Sequence, residues 1–338
     1  RPLELRPALL DQIAARFKRW GATMGENNRQ QAFVPRDAIA LENPVGTAPS
    51  FIVETAQGAV ISLPGVPHEM KYLLEHEVLP YLRQRFDLHA VIKSRILRTA
   101  GMGESRIDAA LGDLLTGSNP TIGLAAHPGQ TDVRITAKAD SETEADRLIV
   151  PLEAQVRERL GDAVYGTGQE TVESVLLRHL SDAGWTLAVA ESGTGGLLTQ
   201  RLSSTPESER LFRGGFVAND PPALAQTMSL SFDGSSEGEL EELARQLATR
   251  LSAPSESEPS ERRLGLIVLT FPHPSDEQAT SAGGTVIALG TPTGLALHHL
   301  GFGGHAAHIA RWASTQALEI ARRWALSSGA EIPRLRSE

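Results

Sequence analysis

Apolar residues recur along this chain in two alternating rhythms, one of helices and one of strands. Leu3, Leu9, Leu10, Ile13, Ala14 and Phe17 keep helical spacing and predict an opening helix over residues 3–19. After a loop at 21–28, residues 38–41 read as a short strand that enters the turn-rich run Asn43 to Ser50. Strands at 51–54 and 59–63, joined through Gln57-Gly58, lead into Pro64-Gly65-Val66-Pro67-His68-Glu69-Met70. A helix with Tyr72, Leu73, Leu79 and Leu82 follows. Two proline/glycine loops at strand ends suit an α/β layer whose ligand site lies at the carboxyl ends of the strands.

The rhythm changes near residues 86–91. A strand at 94–99, the cap Gly101-Met102-Gly103-Glu104-Ser105, a helix at 107–115 and strands at 121–125 and 132–137 precede a helix over Glu142–Leu160. That helix places Ala145, Leu148, Ile149, Leu152, Val156 and Leu160 on one face, so this stretch reads as a small α+β domain. Gly166-Thr167-Gly168-Gln169 marks a boundary. Beyond it come a helix at 172–180, a strand at 186–190, a helix at 239–251, buried strands at 264–269 and 285–289, and a closing helix at 306–326. Residues 252–261, almost all Ser, Glu and Pro, have no apolar face to bury and are expected to form a mobile surface loop.

Composition adds bounds. With 41% hydrophobic and 22% charged residues, the 338-residue chain is ordinary globular protein with room for two or three domains. No run approaches the roughly 18 apolar residues of a membrane span, and no signal peptide is evident, so no membrane role and a cytoplasmic location are expected. The absence of cysteine excludes disulfides, thiolate metal sites and a thiol nucleophile. A net charge of −9 argues against nucleic-acid binding.

Candidate chemistry centres on Glu191-Ser192-Gly193-Thr194-Gly195-Gly196, between the strand at 186–190 and a helical run from Leu197. A strand, tight glycine turn and helix N-terminus can present a hydroxyl and several N–H groups to one anionic ligand. The same kind of turn also serves plain helix–sheet packing.

Several segments together make the chain resemble the CinA family, named for competence and damage inducibility. They are Asn27-Asn28 with Gln31-Ala32, Gly46-Thr47-Ala48-Pro49, Leu63-Pro64-Gly65-Val66-Pro67 with Glu69-Met70, Gly101, Gly103-Glu104-Ser105, Asn119-Pro120-Thr121, Glu191-Ser192, Thr194-Gly195-Gly196 and Phe212-Arg213-Gly214-Gly215. The resemblance implies an α/β chain. Its parts are a partial three-layer α/β/α domain at 1–88, a KH-like α+β connector at 89–167, a C-terminal α/β/α domain at 168–328 and a tail at 329–338. The first is the C-terminal half of a molybdopterin-binding-like domain associated with metal-dependent ADP-ribose pyrophosphatase activity. The last is a nicotinamide mononucleotide deamidase domain.

The resemblance implies nicotinamide mononucleotide and ADP-ribose as ligands, and a homodimer. The family's acidic, glycine-rich half-site is missing ahead of Arg1, so the chain is expected to be part of a longer product. A divalent metal belongs to the full-length first domain, and no metal ligand set is evident here. Asn28, Gly46, Thr47, Ala48, Pro64, Gly65, Pro67 and Glu69 would form the remaining nucleotide loops, and Ser50, in place of the family's glycine, would restrict the turn. Gly101-Met102-Gly103 is too short for the four-residue KH loop, so the connector is expected to be a spacer.

In the last domain the family implies Ser192 as nucleophile. Glu191, Thr194, Gly195, Gly196, Arg213, Gly214 and Gly215 would bind substrate. The family's lysine and tyrosine, which would activate the serine, fall on Leu224 and Asn219. Its glycine loop after the buried strand reads Thr270 to Asp276 and keeps only the proline, and its Gly-Asp-Arg reads Gly304-His305-Ala306. His273 or His305 could replace the base, with Asp220 or Asp276 orienting it. Gly193, in place of a cysteine, looks chemically unimportant. The expected product is a deamidase frame with little hydrolysis; the alternative is a non-catalytic nucleotide- or partner-binding homologue.

Overall fold

A computed structural model describes residues 1–88, 90–232, 237–254, 258–270, 283–302 and 306–327, which fall into two compact units, 1–90 and 91–338. His273, Asp276, His305 and the 329–338 tail lie outside the described residues, as does the whole of 271–282 after Thr270.

The first unit runs β1 (Leu3–Leu5), α1 (Pro7–Arg19), α2 (Glu26–Gln30), β2 (Phe33–Pro35), β3 (Ile39–Leu41), β4 (Ser50–Thr55), β5 (Gly58–Ser62), α3 (Pro67–Leu73) and, after one π-turn, α4 (Leu79–Phe86). The predicted opening helix begins only at Pro7, because Leu3–Leu5 pairs with β2 as an antiparallel ribbon. Pro7 suits a helix start, where its missing N–H is not needed. β3, β4 and β5 form an antiparallel meander. The rule that ligands sit at the carboxyl ends of parallel strands therefore does not apply to this sheet. Ser50 opens β4 opposite Leu41 in extended backbone, which any residue adopts, so it does not restrict the turn.

The second unit begins with β6 (Val91–Ala100), α5 (Glu104–Leu111), β7 (Thr121–His127), β8 (Gln130–Ala139), α6 (Glu142–Leu160) and β9 (Val164–Thr167). The sheet order is β7-β8-β6-β9, all antiparallel. Ser141 caps α6, and Ala145, Ile149, Val156 and Leu160 are buried against the sheet. The chain continues through α7 (Val172–Ala183), β10 (Trp185–Ser192), α8 (Leu197–Ser203), α9 (Ser208–Leu211), β11 (Phe212–Ala218), α10 (Pro221–Thr227), α11 (Glu237–Ser252), β12 (Arg262–Thr270), β13 (Gly283–Thr291), β14 (Gly294–Phe302) and α12 (Ala306–Leu326).

Strand order is β11-β10-β12-β13-β14; β10 runs parallel to β11 and β12, and the last two pairings are antiparallel. One face packs on α7, α8 and α12 through residues such as Leu176, Leu198 and Trp324. The other packs on α10 and α11 through Leu224, Leu243 and Leu247. β10 is an inner strand, buried on both faces, and its carboxyl end delivers Glu191 and Ser192. The four-stranded sheet docks on α12 through Gly101, where an added Cβ would lie 3.0 Å from Glu319. Glu319 is itself paired with Arg322 at 2.7 Å, and both are almost fully buried. The glycine cap is thus a packing contact. Among the described residues no helix is long and apolar enough to cross a membrane.

Candidate functional site

At the carboxyl end of β10, Ser192 lies opposite Ala218 of β11 and Leu269 of β12. It is fully buried, and its hydroxyl has no hydrogen-bond partner among the described residues. A buried polar group without a partner costs free energy, so this atom marks either a lost partner or a ligand's place. Its carbonyl is held by the Thr270 hydroxyl, which donates at 2.8 Å.

Glu191 behaves differently from the substrate-binding role expected of it. Its carboxyl accepts from the Thr194 hydroxyl at 2.5 Å, the Leu198 N–H at 3.0 Å and the Thr199 N–H at 2.7 Å. A fully buried carboxylate at a helix N-terminus satisfies donors that α8 leaves open and complements its dipole. Two of the N–H groups offered to a phosphate are therefore already taken, and the Thr194 hydroxyl is spent on the same carboxyl. Gly195 and Gly196 turn the chain through positive φ of 64° and 82°.

Gly193 matters more than its sequence position implied. It has φ 73°, and a Cβ there would lie 2.0 Å from the Thr270 hydroxyl and 2.7 Å from its carbonyl. Any side chain at 193, including the family's cysteine, is excluded unless Thr270 and its strand move.

Arg213, Gly214 and Gly215 do not gather at Ser192. Arg213 lies in the bulge where β11 passes Leu187 and Ala188, near the amino end of β10. Five residues of extended strand separate it from Ala218, roughly 16 Å. Its guanidinium bonds Glu261 at 2.6 Å and reaches Glu258 at 3.5 Å. Glu261 also accepts from Thr186 at 2.8 Å and pairs with Arg263. Burial pushes this carboxyl up, but hydrogen bonds from Arg213, Thr186 and Arg263 outweigh it and hold it at about 2. The end of the Ser/Glu/Pro segment is thus a pinned anchor; its residues 255–257 lie outside the described residues. Gly215 serves helix packing, since a Cβ there would lie 2.3 Å from the Thr199 hydroxyl on α8.

The positions aligned with the family's activating pair are equally clear. Leu224 is fully buried among Ala190, Met228 and Leu243 of the sheet's second apolar face. Asn219 is exposed, and Asp220 caps α10 by accepting from the Ala223 N–H at 2.8 Å. Asp220 is therefore committed to its own helix.

In the first unit, Glu69 and the Gly46 loop meet through a residue that sequence reasoning passed over. Asn43, almost fully buried, donates to the Ala48 carbonyl at 2.9 Å and to Glu69 at 2.5 Å, and accepts from the Val45 N–H at 3.1 Å. A Cβ on Gly46 would fall 1.8 Å from the Glu69 carboxyl, so only glycine lets the two approach. Thr47 lies within this loop, and Pro64, Gly65 and Pro67 lead into α3, which carries Glu69. Asn28 instead caps its own α2, accepting from the Gly25 N–H at 3.3 Å. A carboxyl at this turn suits a hydroxyl donor or a cation better than the phosphate of a nucleotide. Among the described residues no three His, Asp or Glu side chains gather closely enough to hold a metal. The local signal for Asn43 was an Asn-Pro turn ending in a glycine loop.

Comparisons with known proteins cover nearly the whole chain in three consecutive pieces. Residues 1–84 match the molybdopterin binding domain family, 94–166 the damage-inducible protein CinA KH domain, and 169–325 the CinA C-terminal domain. A competence-damage inducible protein of Clostridium botulinum is 42% identical over 216 residues, 64% of this chain and 52% of its own. A CinA-like protein of Parasynechococcus marenigrum is 41% identical over 218 residues, with the same two shares. The chain spans about half the length of the curated relatives it matches. Among solved structures, a competence-damaged protein (CinA) superfamily protein of Enterobacter cloacae aligns at 21% identity and TM-score 0.37, covering 48% of this chain and 96% of that one.

Proposed function

Because this chain belongs to the CinA family, we propose that its last domain is a nicotinamide mononucleotide amidohydrolase frame. On this reading it retains nucleotide binding and has lost the base that would activate its serine. One observation carries the proposal: the Ser192 hydroxyl stands at the carboxyl end of a parallel strand with no acceptor for its proton among the described residues. Amide hydrolysis by serine needs that acceptor within hydrogen-bond reach. The position aligned with the family's lysine is Leu224, turned into the core. Loss of a general base lowers rate by about 10²–10⁴-fold. In the first unit, the Asn43–Glu69–Gly46 cluster supports contact with a ligand hydroxyl, as on the ribose of ADP-ribose. On this reading the described part of the unit contributes contacts to the nucleotide, and a divalent metal would belong to the full-length domain.

The test pairs calorimetry with an ammonia-release assay, both with nicotinamide mononucleotide. Binding with turnover at least about 100-fold below that of a lysine-bearing family member is the expected result. Turnover at that member's rate, abolished by Ser192→Ala, would overturn it. No binding at all would favour a second reading, a homologue that uses this domain to hold a protein partner.

A further inference from the structure

A cavity of about 420 Å³ opens between the β6–β9 sheet and the helices of the last domain, within the second unit. The sheet side supplies Arg98, His127 and Gln130, and the helix side supplies Arg201, Arg311 and Thr315. Every charged or titratable residue in its lining is basic, and Ser192 takes no part in it. Two of the guanidinium groups are braced from behind. Arg98 pairs with Asp132 at 2.6 Å and donates to the Gly168 carbonyl at 2.8 Å; Arg201 pairs with Glu173 at 2.9 Å and donates to the Thr315 hydroxyl at 2.9 Å.

These contacts fix the forks without placing a carboxylate in the cavity. Arg311, exposed on α12, has no hydrogen-bond or ion-pair partner among the described residues, so its charge is uncompensated there. His127 is half-exposed and lies 3.3 Å from Asp132.

We propose that this junction binds a phosphate-bearing small molecule, held by arginines from both sides. Planar guanidinium groups match phosphate oxygens two at a time, and such charge-assisted bonds are about twice as strong as neutral ones. The volume is that of a small-molecule site and exceeds a single phosphate, leaving room for a sugar-sized body. The chain's net charge of −9 disfavours a long nucleic acid as the source of that phosphate. A ligand touching both sides ties the connector to the last domain and stabilises the folded state by mass action.

The experiment is calorimetry and thermal unfolding of the full chain with inorganic phosphate and with ribose 5-phosphate, against sodium chloride at equal ionic strength. Saturable binding of either probe with a Kd of about 1 mM or tighter, and a raised Tm, is expected. Arg311→Ala and His127→Ala, one from each side and both at accessible positions, should each weaken it about tenfold while leaving the unliganded Tm near that of the parent. No saturable binding of either probe, a Tm rise matched by chloride, or affinity unchanged in both variants would overturn the proposal. Binding of both probes assigns the recognition to the phosphate group itself. Binding of ribose 5-phosphate alone supports the proposal in the narrower form of a sugar phosphate.

Discussion

β10 ends in two charged clusters that differ in how their polar groups are used. At its carboxyl end, Glu191 accepts three hydrogen bonds from its own loop and α8, while the adjacent Ser192 hydroxyl accepts and donates none among the described residues. At its amino end, Glu261 gathers Arg213 from β11 and Thr186 from β10, together with Arg263 two residues further along its own stretch. Both ends carry family motifs of similar clarity. One end holds an orphaned hydroxyl; the other is a closed clamp that ties β11 and β12 to β10. A motif match therefore locates a strand end without saying whether that end binds or braces.

The comparison makes Glu191 the costliest residue to lose. Glu191→Ala leaves two helix N–H groups and a threonine hydroxyl without an acceptor in a dry interior, and should reduce stability by about 3 kcal/mol or more. Urea unfolding measures it, and a loss below about 1 kcal/mol would mean that α8 finds another cap.

Arg213→Ala acts at the opposite end and should cost about 1 kcal/mol, since the arginine is partly exposed and Glu261 keeps two partners. This difference has a pH signature. The folded carboxyl sits at about 2, below its ordinary value of 4.5, so its contribution is present above that value and lost as pH falls towards 2. The gap between parent and variant, read by thermal unfolding, should hold at neutral pH and close over that window. Nicotinamide mononucleotide binding should be unaffected, because Arg213 is roughly 16 Å of strand away from the serine loop.

Ser192→Ala should have the smallest stability effect. Removing an orphaned hydroxyl leaves no broken bond, so stability should stay within about 0.5 kcal/mol of the parent or rise slightly. A loss above about 1 kcal/mol would reveal a partner for the hydroxyl in the folded protein.

Much of the fold was legible in local pattern. The long helices at Glu142–Leu160 and Ala306–Leu326 match their periodicity, and the buried strands β12 and β13 contain the predicted apolar runs. The spacing of Leu3–Leu5 continues that of α1 and predicts helix; only pairing with a strand thirty residues on makes it a strand. β14 carries no distinctive run, with two histidines at its centre, and exists because β13 offers it an edge. α10 was hidden by a Pro-Pro pair, which sits at the helix start behind the Asp220 cap.

The site was legible as a location and much less so as a set of roles. Ser192 and its glycine turn are where strand–turn–helix chemistry puts them. Glu191 and Arg213 were both expected at a ligand, yet one caps a helix and the other clamps a distant strand end, because a charged side chain's partner depends on which elements fold against it. Gly193 looked incidental until Thr270 filled the space beside it.

The sequence by itself determined the succession of helices and strands, the three family segments and the place where a nucleophile would stand. These follow from periodicity, turn residues and short motifs, all of which act over a few positions of chain. Only the tertiary structure decided which polar groups are already satisfied, which glycines make room for a neighbour, and that Arg98 and Arg311 face one cavity. Those depend on contacts between residues tens to hundreds of positions apart, where burial sets whether a charge binds a ligand or holds the protein together.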